Sequence, residues 1–193
     1  MIKLTRPICP HPIALENKNY KHPINKQSLK QANNDKCMYC ESKISHIDFA
    51  HIEHIKPKSN NKFPELEFVW DNLGYACPKC NNEKSDKFHH EIPYIDPYLE
   101  DPSVYFYAAG TWLFIKNGSE RSDITIRDIG LNRPELLEKR LERITEIQNV
   151  ITACYRTTNV ELRLLALEEL RQEAQPDKEY SFFVDALLCA HAA

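Results

Sequence analysis

Two tight cysteine pairs, Cys37-x2-Cys40 and Cys77-x2-Cys80, constrain this chain more than any other feature. A Cys-x2-Cys turn lets two thiolates reach one metal ion at about 2.3 Å without straining the backbone, and two such turns complete a tetrahedral zinc site. The 36 residues between Cys40 and Cys77 exceed the insert of a simple zinc ribbon, so the pairs must hold something sizeable between them. A closed four-cysteine set has no open position for a substrate, so the expected zinc is structural. Seven cysteines in all is an odd number that fits a disulfide framework poorly. Cys9, Cys154 and Cys189 stand alone and read as buried or incidental thiols.

Charge is divided along the chain. Residues 1–62 carry eleven Lys/Arg against five Asp/Glu, a balance of +6, and the net charge of −3 leaves −9 for residues 63–193. A basic face in the N-terminal part is what contact with a phosphate backbone requires. There is no apolar run of roughly 18 residues, so no transmembrane helix and no membrane partner are expected. Met1 to Pro12 lacks the apolar stretch of a secretory signal, which points to the cytoplasm and to reduced thiols.

The expected organisation is α+β: an N-terminal arm (1–23), a zinc-stabilised core (24–100), and a strand-then-helix region (101–193) suited to bind a partner. Residues 1–23 read as irregular and 24–34 as a short helix. Ile44 to Ile55 reads as strand or hairpin, Glu65 to Tyr75 as a short helix that buries Trp70, and Asn81 to Phe88 as a helix start. Residues 91–103 read as a proline-rich connector. Val104 to Ile115 predicts strands around Ala109-Gly110, and Ile124-Thr125-Ile126 predicts a further strand. Asn132 reads as an N-cap, with Pro134 in the first turn. Leu137, Leu141, Ile144, Ile147, Ile151 and Cys154 form a helical stripe. Two more helices are expected, at 160–172 and 181–191.

The segment between the cysteine pairs contains His51-Ile52-Glu53-His54-Ile55-Lys56-Pro57. On a regular strand His51 and Glu53 share one face and His54 takes the other, so a bulge or twist is needed to bring Glu53 and His54 to one metal. Asn72-Leu73 and Cys77-x2-Cys80-Asn81-x2-Lys84 follow. This set of separately spaced matches over residues 37–86 resembles the HNH endonuclease motif. The resemblance implies a ββα-metal fold with one catalytic divalent ion, magnesium or manganese. It makes His54 the general base, Glu53 a carboxylate metal ligand in a place where many members carry aspartate, and Asn81 a metal ligand. Asn72 becomes the middle asparagine that orients the loop and His54, and His51 a ligand or a support to one. Lys79 and Lys84 are candidate phosphate contacts. His89-His90 reads as a solvated pair rather than a third metal feature.

Met1-Ile2-Lys3-Leu4-x-Arg6 and Leu131-Asn132-Arg133-Pro134-Glu135-Leu136 with Arg140 extend the resemblance to the PtuB-type HNH subunit of Septu and retron anti-phage systems. That family implies an effector nuclease acting with a PtuA-type ABC ATPase. In the retron case the reverse transcriptase and its non-coding DNA/RNA are further partners. DNA is the expected substrate. The alternatives are RNA, transfer RNA included, and a non-catalytic zinc-stabilised nucleic-acid-binding module. The Glu53-His54 pair argues against the last, because a binding module needs no base beside a metal ligand.

Overall fold

The computed structural model describes residues 1–45 and 49–192. Its centre is a two-stranded antiparallel sheet and a helix. Strand β1 (His51–His54) pairs with β2 (Leu73–Ala76), setting His51 opposite Ala76 and His54 opposite Leu73. Helix α3 (Pro78–Lys84) follows directly. It begins three residues before Asn81, the expected start, because Pro78 needs no amide partner in a first turn and the Cys77 side chain caps the helix by accepting from the Cys80 amide. The first cysteine pair docks on β2 from outside, the Met38 amide donating to the Tyr75 carbonyl at 2.9 Å. Gly74 allows that approach, since a Cβ there would lie 2.4 Å from the Met38 sulfur.

The expected helix within Glu65 to Tyr75 is replaced by two short 3-10 turns, Pro64–Leu66 and Trp70–Asn72, which lead into β2. Trp70 is only partly buried, and its indole N–H donates to the Pro7 carbonyl at 2.8 Å. Of the strand expected over 44–55, β1 takes 51–54, whereas residues 46–48 lie outside the described residues.

The N-terminal segment has more structure than an irregular arm. It contains α1 (Pro12–Glu16) and leads into α2 (Pro23–Ala32), and Met1 and Leu4 are buried in the main core. The Leu4 amide donates to the Pro97 carbonyl at 2.9 Å, which ties this segment to the 91–103 connector, where Tyr94, Ile95 and Tyr98 are buried.

Beyond the connector, β3 (Phe106–Ala109) and β4 (Trp112–Ile115) form the expected hairpin around Gly110. Ile124-Thr125-Ile126 is not a strand but the middle of α4 (Glu120–Ile129). Two terminal signals override its β-branched residues: the Ser119 side chain accepts from the Ser122 amide, and Gly130 closes the helix in the left-handed conformation at φ 66°.

Helix α5 (Pro134–Arg156) is capped at Arg133, one residue after the cap expected at Asn132, because the Asn132 amide is spent on both backbone groups of Leu113. Its buried face runs through Leu136, Arg140, Ile144, Ile147, Ile151 and Cys154, so the upper part of the stripe is displaced by one residue and Leu141 is exposed. Helices α6 (Val160–Arg171) and α7 (Ser181–Ala192) complete the chain. Phe183 of α7 joins the main core around β1, β2 and the cysteines, while Ile147, Ile151, Cys154, Leu170 and Val184 form a second, smaller core. Among the described residues no helix is long and apolar enough to cross a membrane.

Candidate active site and metal centre

The four sulfurs of Cys37, Cys40, Cys77 and Cys80 all lie within 4.8 Å of one another. A tetrahedron with metal–sulfur bonds of about 2.3 Å spaces its sulfurs by about 3.8 Å, and the Cys40 and Cys77 sulfurs are 3.9 Å apart. The donor set and its spacing therefore fit a closed metal site. No other group of three or more His, Cys, Asp or Glu side chains converges this way among the described residues.

Two arginines compensate the negative charge that four thiolates would concentrate here. Arg133 donates to the Cys80 sulfur at 3.5 Å and to the Gly130 carbonyl at 3.0 Å. Arg140 is 1% exposed, donates to the Thr111 carbonyl at 3.1 Å and lies 4.0 Å above the Phe183 ring. Burial pulls its pKa down to about 10, against the opposing charges of Cys40 and Glu41. The run Leu131 to Arg140 thus joins the cysteine cluster to the β3–β4 hairpin and to α7.

Next to this cluster a cleft of about 920 Å³ opens, lined among others by His51, Glu53, His54, Lys58, Asn81 and Tyr20. The Nε2 of His54 lies 3.0 Å from the Glu67 carbonyl oxygen. A carbonyl can only accept, so Nε2 carries the hydrogen and Nδ1 keeps the basic lone pair. Burial lowers the His54 pKa, so its imidazole is neutral near pH 7. His51 meets Asn81 across the cleft, Nδ1 to the side-chain nitrogen at 2.9 Å.

Glu53 is 2% exposed and its Oε1 receives two donors, the Lys84 ammonium at 2.7 Å and the Tyr39 hydroxyl at 3.2 Å. Burial pushes its carboxyl up, and both donors oppose that rise. Lys84 also donates to the His54 carbonyl at 2.9 Å. It is therefore no surface phosphate contact, as the sequence reading allowed, but a buried brace between α3 and β1.

Asn72 does not face the cleft as a ligand would. Its side chain accepts from the Lys56 amide at 2.7 Å and donates to the Lys56 and Leu66 carbonyls, clasping the loop that follows His54. His89 pairs with Asp128 at 2.9 Å and His90 packs on Phe63 and Phe88, and neither lines the cleft. Tyr20, Tyr39 and Glu67 are the site residues that sequence reasoning missed. Tyr20 stands 34 positions before His54, and no spacing rule links the two.

Residues 37–87 match the family model described as HNH endonuclease. The chain is similar to a Septu protein PtuB of Bacillus thuringiensis, at 28% identity over 86% of this chain and 68% of that protein. A Septu protein PtuB of Bacillus mycoides matches at 26% identity over 67% of this chain and 54% of its own length. A retron Vc95 putative HNH endonuclease of Vibrio cholerae matches at 35% identity over 60% and 59%. The chain thus spans between 54% and 68% of the length of these relatives. A four-cysteine cluster set around an antiparallel strand pair and one helix, with His54 and Asn81 opening on one cleft, agrees with these matches: the HNH endonuclease family is what residues 37–87 resemble in both sequence and arrangement.

Proposed function

We propose that this protein is a metal-dependent endonuclease that cleaves DNA phosphodiester bonds, with His54 as the general base. The observation that carries this reading is the state of His54, whose Nε2–H is committed to the Glu67 carbonyl in an imidazole kept neutral by burial. Such an imidazole can accept a proton at Nδ1 from a water aligned on phosphorus, and a general base of this kind contributes roughly 10²- to 10⁴-fold. Glu53, His51 and Asn81 are the residues that would hold a divalent ion, magnesium or manganese. When bound, that ion supplies Lewis-acid stabilisation to the phosphoryl oxygens. Lys84 fixes the Glu53 carboxylate and the His54 backbone together, and Asn72 fixes the loop beyond them. The four cysteines hold zinc in a structural role.

The similarity to Septu and retron proteins supports reading the nuclease as an anti-phage effector that acts in the cytoplasm with a PtuA-type ABC ATPase. The test uses purified protein, alone and with that ATPase, on supercoiled plasmid and on transfer RNA with magnesium. Native protein is expected to nick or linearise the plasmid, and His54→Ala to lose about 10²- to 10⁴-fold in rate while keeping its zinc and its melting temperature. Near-native cleavage by folded His54→Ala would remove His54 as the base, and cleavage of transfer RNA alone would replace DNA as the substrate.

A further inference from the structure

Part of the cleft wall comes from outside residues 37–87. It is made by residues 17–26, between α1 and the first turns of α2, and contributes Tyr20, Lys21 and Lys26 to the lining. This segment is held firmly. Asn25 is fully buried, and its side chain accepts from the His11 amide at 3.1 Å and donates to the His11 carbonyl at 3.1 Å, stapling α2 to the residues before α1. Those residues are tied in turn to the strand pair. Arg6 donates to the Trp70 carbonyl at 3.0 Å and to the Leu73 carbonyl at 2.7 Å, and its guanidinium lies 4.0 Å over the Tyr98 ring.

The staple brings Tyr20 to His54. The two rings meet edge to face at 4.7 Å and 75°. The Tyr20 hydroxyl accepts from Lys58 at 2.8 Å, Lys58 also donates to the Glu67 carboxylate at 2.7 Å, and the Glu67 carbonyl accepts from His54. Tyr20, Lys58, Glu67 and His54 thus close a ring of contacts, in which Glu67 takes part through both its carboxylate and its main-chain carbonyl. The hydrogen bond to Glu67 fixes one edge of His54, and Tyr20 blocks the ring from swinging off it. Lys21 and Lys26 extend the same wall, and neither ammonium has an acidic partner within ion-pair distance among the described residues. Lysines without an acidic partner at the rim of such a cleft, one of them 5.6 Å over the Tyr20 ring, are placed to neutralise backbone phosphates.

We infer that residues 17–26 are a wall of the active site, in which Tyr20 positions the His54 imidazole and Lys21 and Lys26 hold the backbone phosphates of the bound DNA strand. The inference rests on the nuclease reading above and adds to it a substrate-holding segment that lies outside residues 37–87.

The test uses the full chain, a labelled DNA duplex and magnesium. Tyr20→Ala is expected to lower kcat on the order of 10- to 100-fold with KM little changed, since misplacing a catalytic group costs turnover rather than binding. Tyr20→Phe keeps the ring against His54 and should recover most of that loss. Lys21→Ala/Lys26→Ala should leave kcat near native and raise KM. Measured with the non-cleaving His54→Ala chain, it should reduce the slope of log affinity against log salt by roughly two, about one per lysine. Native kcat in folded Tyr20→Ala, a Tyr20→Phe chain as impaired as a misfolded one, or unchanged affinity and salt slope in the double lysine variant each overturns the inference. If native protein fails to cut the duplex, or folded His54→Ala still cuts it, the nuclease reading itself falls. If His54→Ala is dead while the Tyr20 and lysine variants behave as native, only the role of residues 17–26 falls.

Discussion

The HNH segment and the C-terminal helices are held together by different physics. In the first, two four-residue strands and a seven-residue helix offer little apolar area. Beside its buried Met38, Ile44, Leu73 and Tyr75, its interior is joined by polar groups: the cysteine cluster, the buried Lys84–Glu53 pair, the fully engaged Asn72 and, at its edge, the buried Lys36–Glu41 pair. In the second, α5, α6 and α7 meet through Ile147, Ile151, Cys154, Leu170 and Val184, with no buried ion pair among their described residues. A few strong specific bonds fail abruptly when one partner is lost, because the other is left buried and unpaired. Distributed apolar contacts lose stability in proportion to the volume removed.

That contrast can be broken most forcefully at the cysteines. Removing the metal with a strong chelator, or making Cys80→Ser, is expected to abolish the folded HNH segment, since structural zinc sites supply apparent folding free energies of about 10–16 kcal/mol. Elemental analysis should give one zinc per chain, and limited proteolysis after chelation should cut within residues 37–87 before it cuts α5 or α7. Early cutting in the helices instead would reverse the comparison.

A smaller but still abrupt loss is expected for Lys84→Met, about 3–5 kcal/mol in urea denaturation, because the Glu53 carboxylate is left buried beside Tyr39. Adding Glu53→Gln should recover part of that loss, and a purely additive double variant would show that the pair is not coupled. In the helical half, Ile147→Ala should cost about 2–4 kcal/mol, whereas Ile151→Val should cost about 1 kcal/mol, a graded response without collapse. If Ile151→Val unfolds the protein, its helices are as brittle as its HNH segment.

The smallest effect concerns Glu100, which Arg121 clasps at 2.6 and 2.8 Å near the protein surface. Arg121 holds its carboxyl below the usual carboxylate range against the effect of partial burial. A depressed folded-state pKa gives stability above the unfolded value of about 4.3, and this is lost as pH falls through the folded value. Wild type should therefore exceed Glu100→Gln by no more than about 1 kcal/mol at pH 7, with the gap closing below about pH 4. A gap that widens in acid would contradict the clasp.

Much of this protein was legible without a structure, for reasons of local chemistry. The cysteine spacing announced the four-sulfur cluster because two short turns suffice to bring four sulfurs together. The β3–β4 hairpin could be read because aromatic and β-branched residues flank a glycine that takes φ 56°. The motif residues His51, Glu53, His54 and Asn81 were legible as a set, and the structure brings all four to one cleft.

What remained hidden depends on contacts between segments far apart in the chain. Ile124 to Ile126 read as strand because their β propensity is local, whereas the cap at Ser119 and the close at Gly130 act over the whole length of α4. Asn132 read as a cap until Leu113, 19 residues earlier, claimed its amide. Lys84 read as an exposed cation, and only the folding of α3 onto β1 buried it against Glu53. Local pattern carries propensity, spacing and turn chemistry. Which buried charge finds a partner, and which distant ring comes to rest against His54, is decided only when the chain closes on itself and every buried polar group must be satisfied at once.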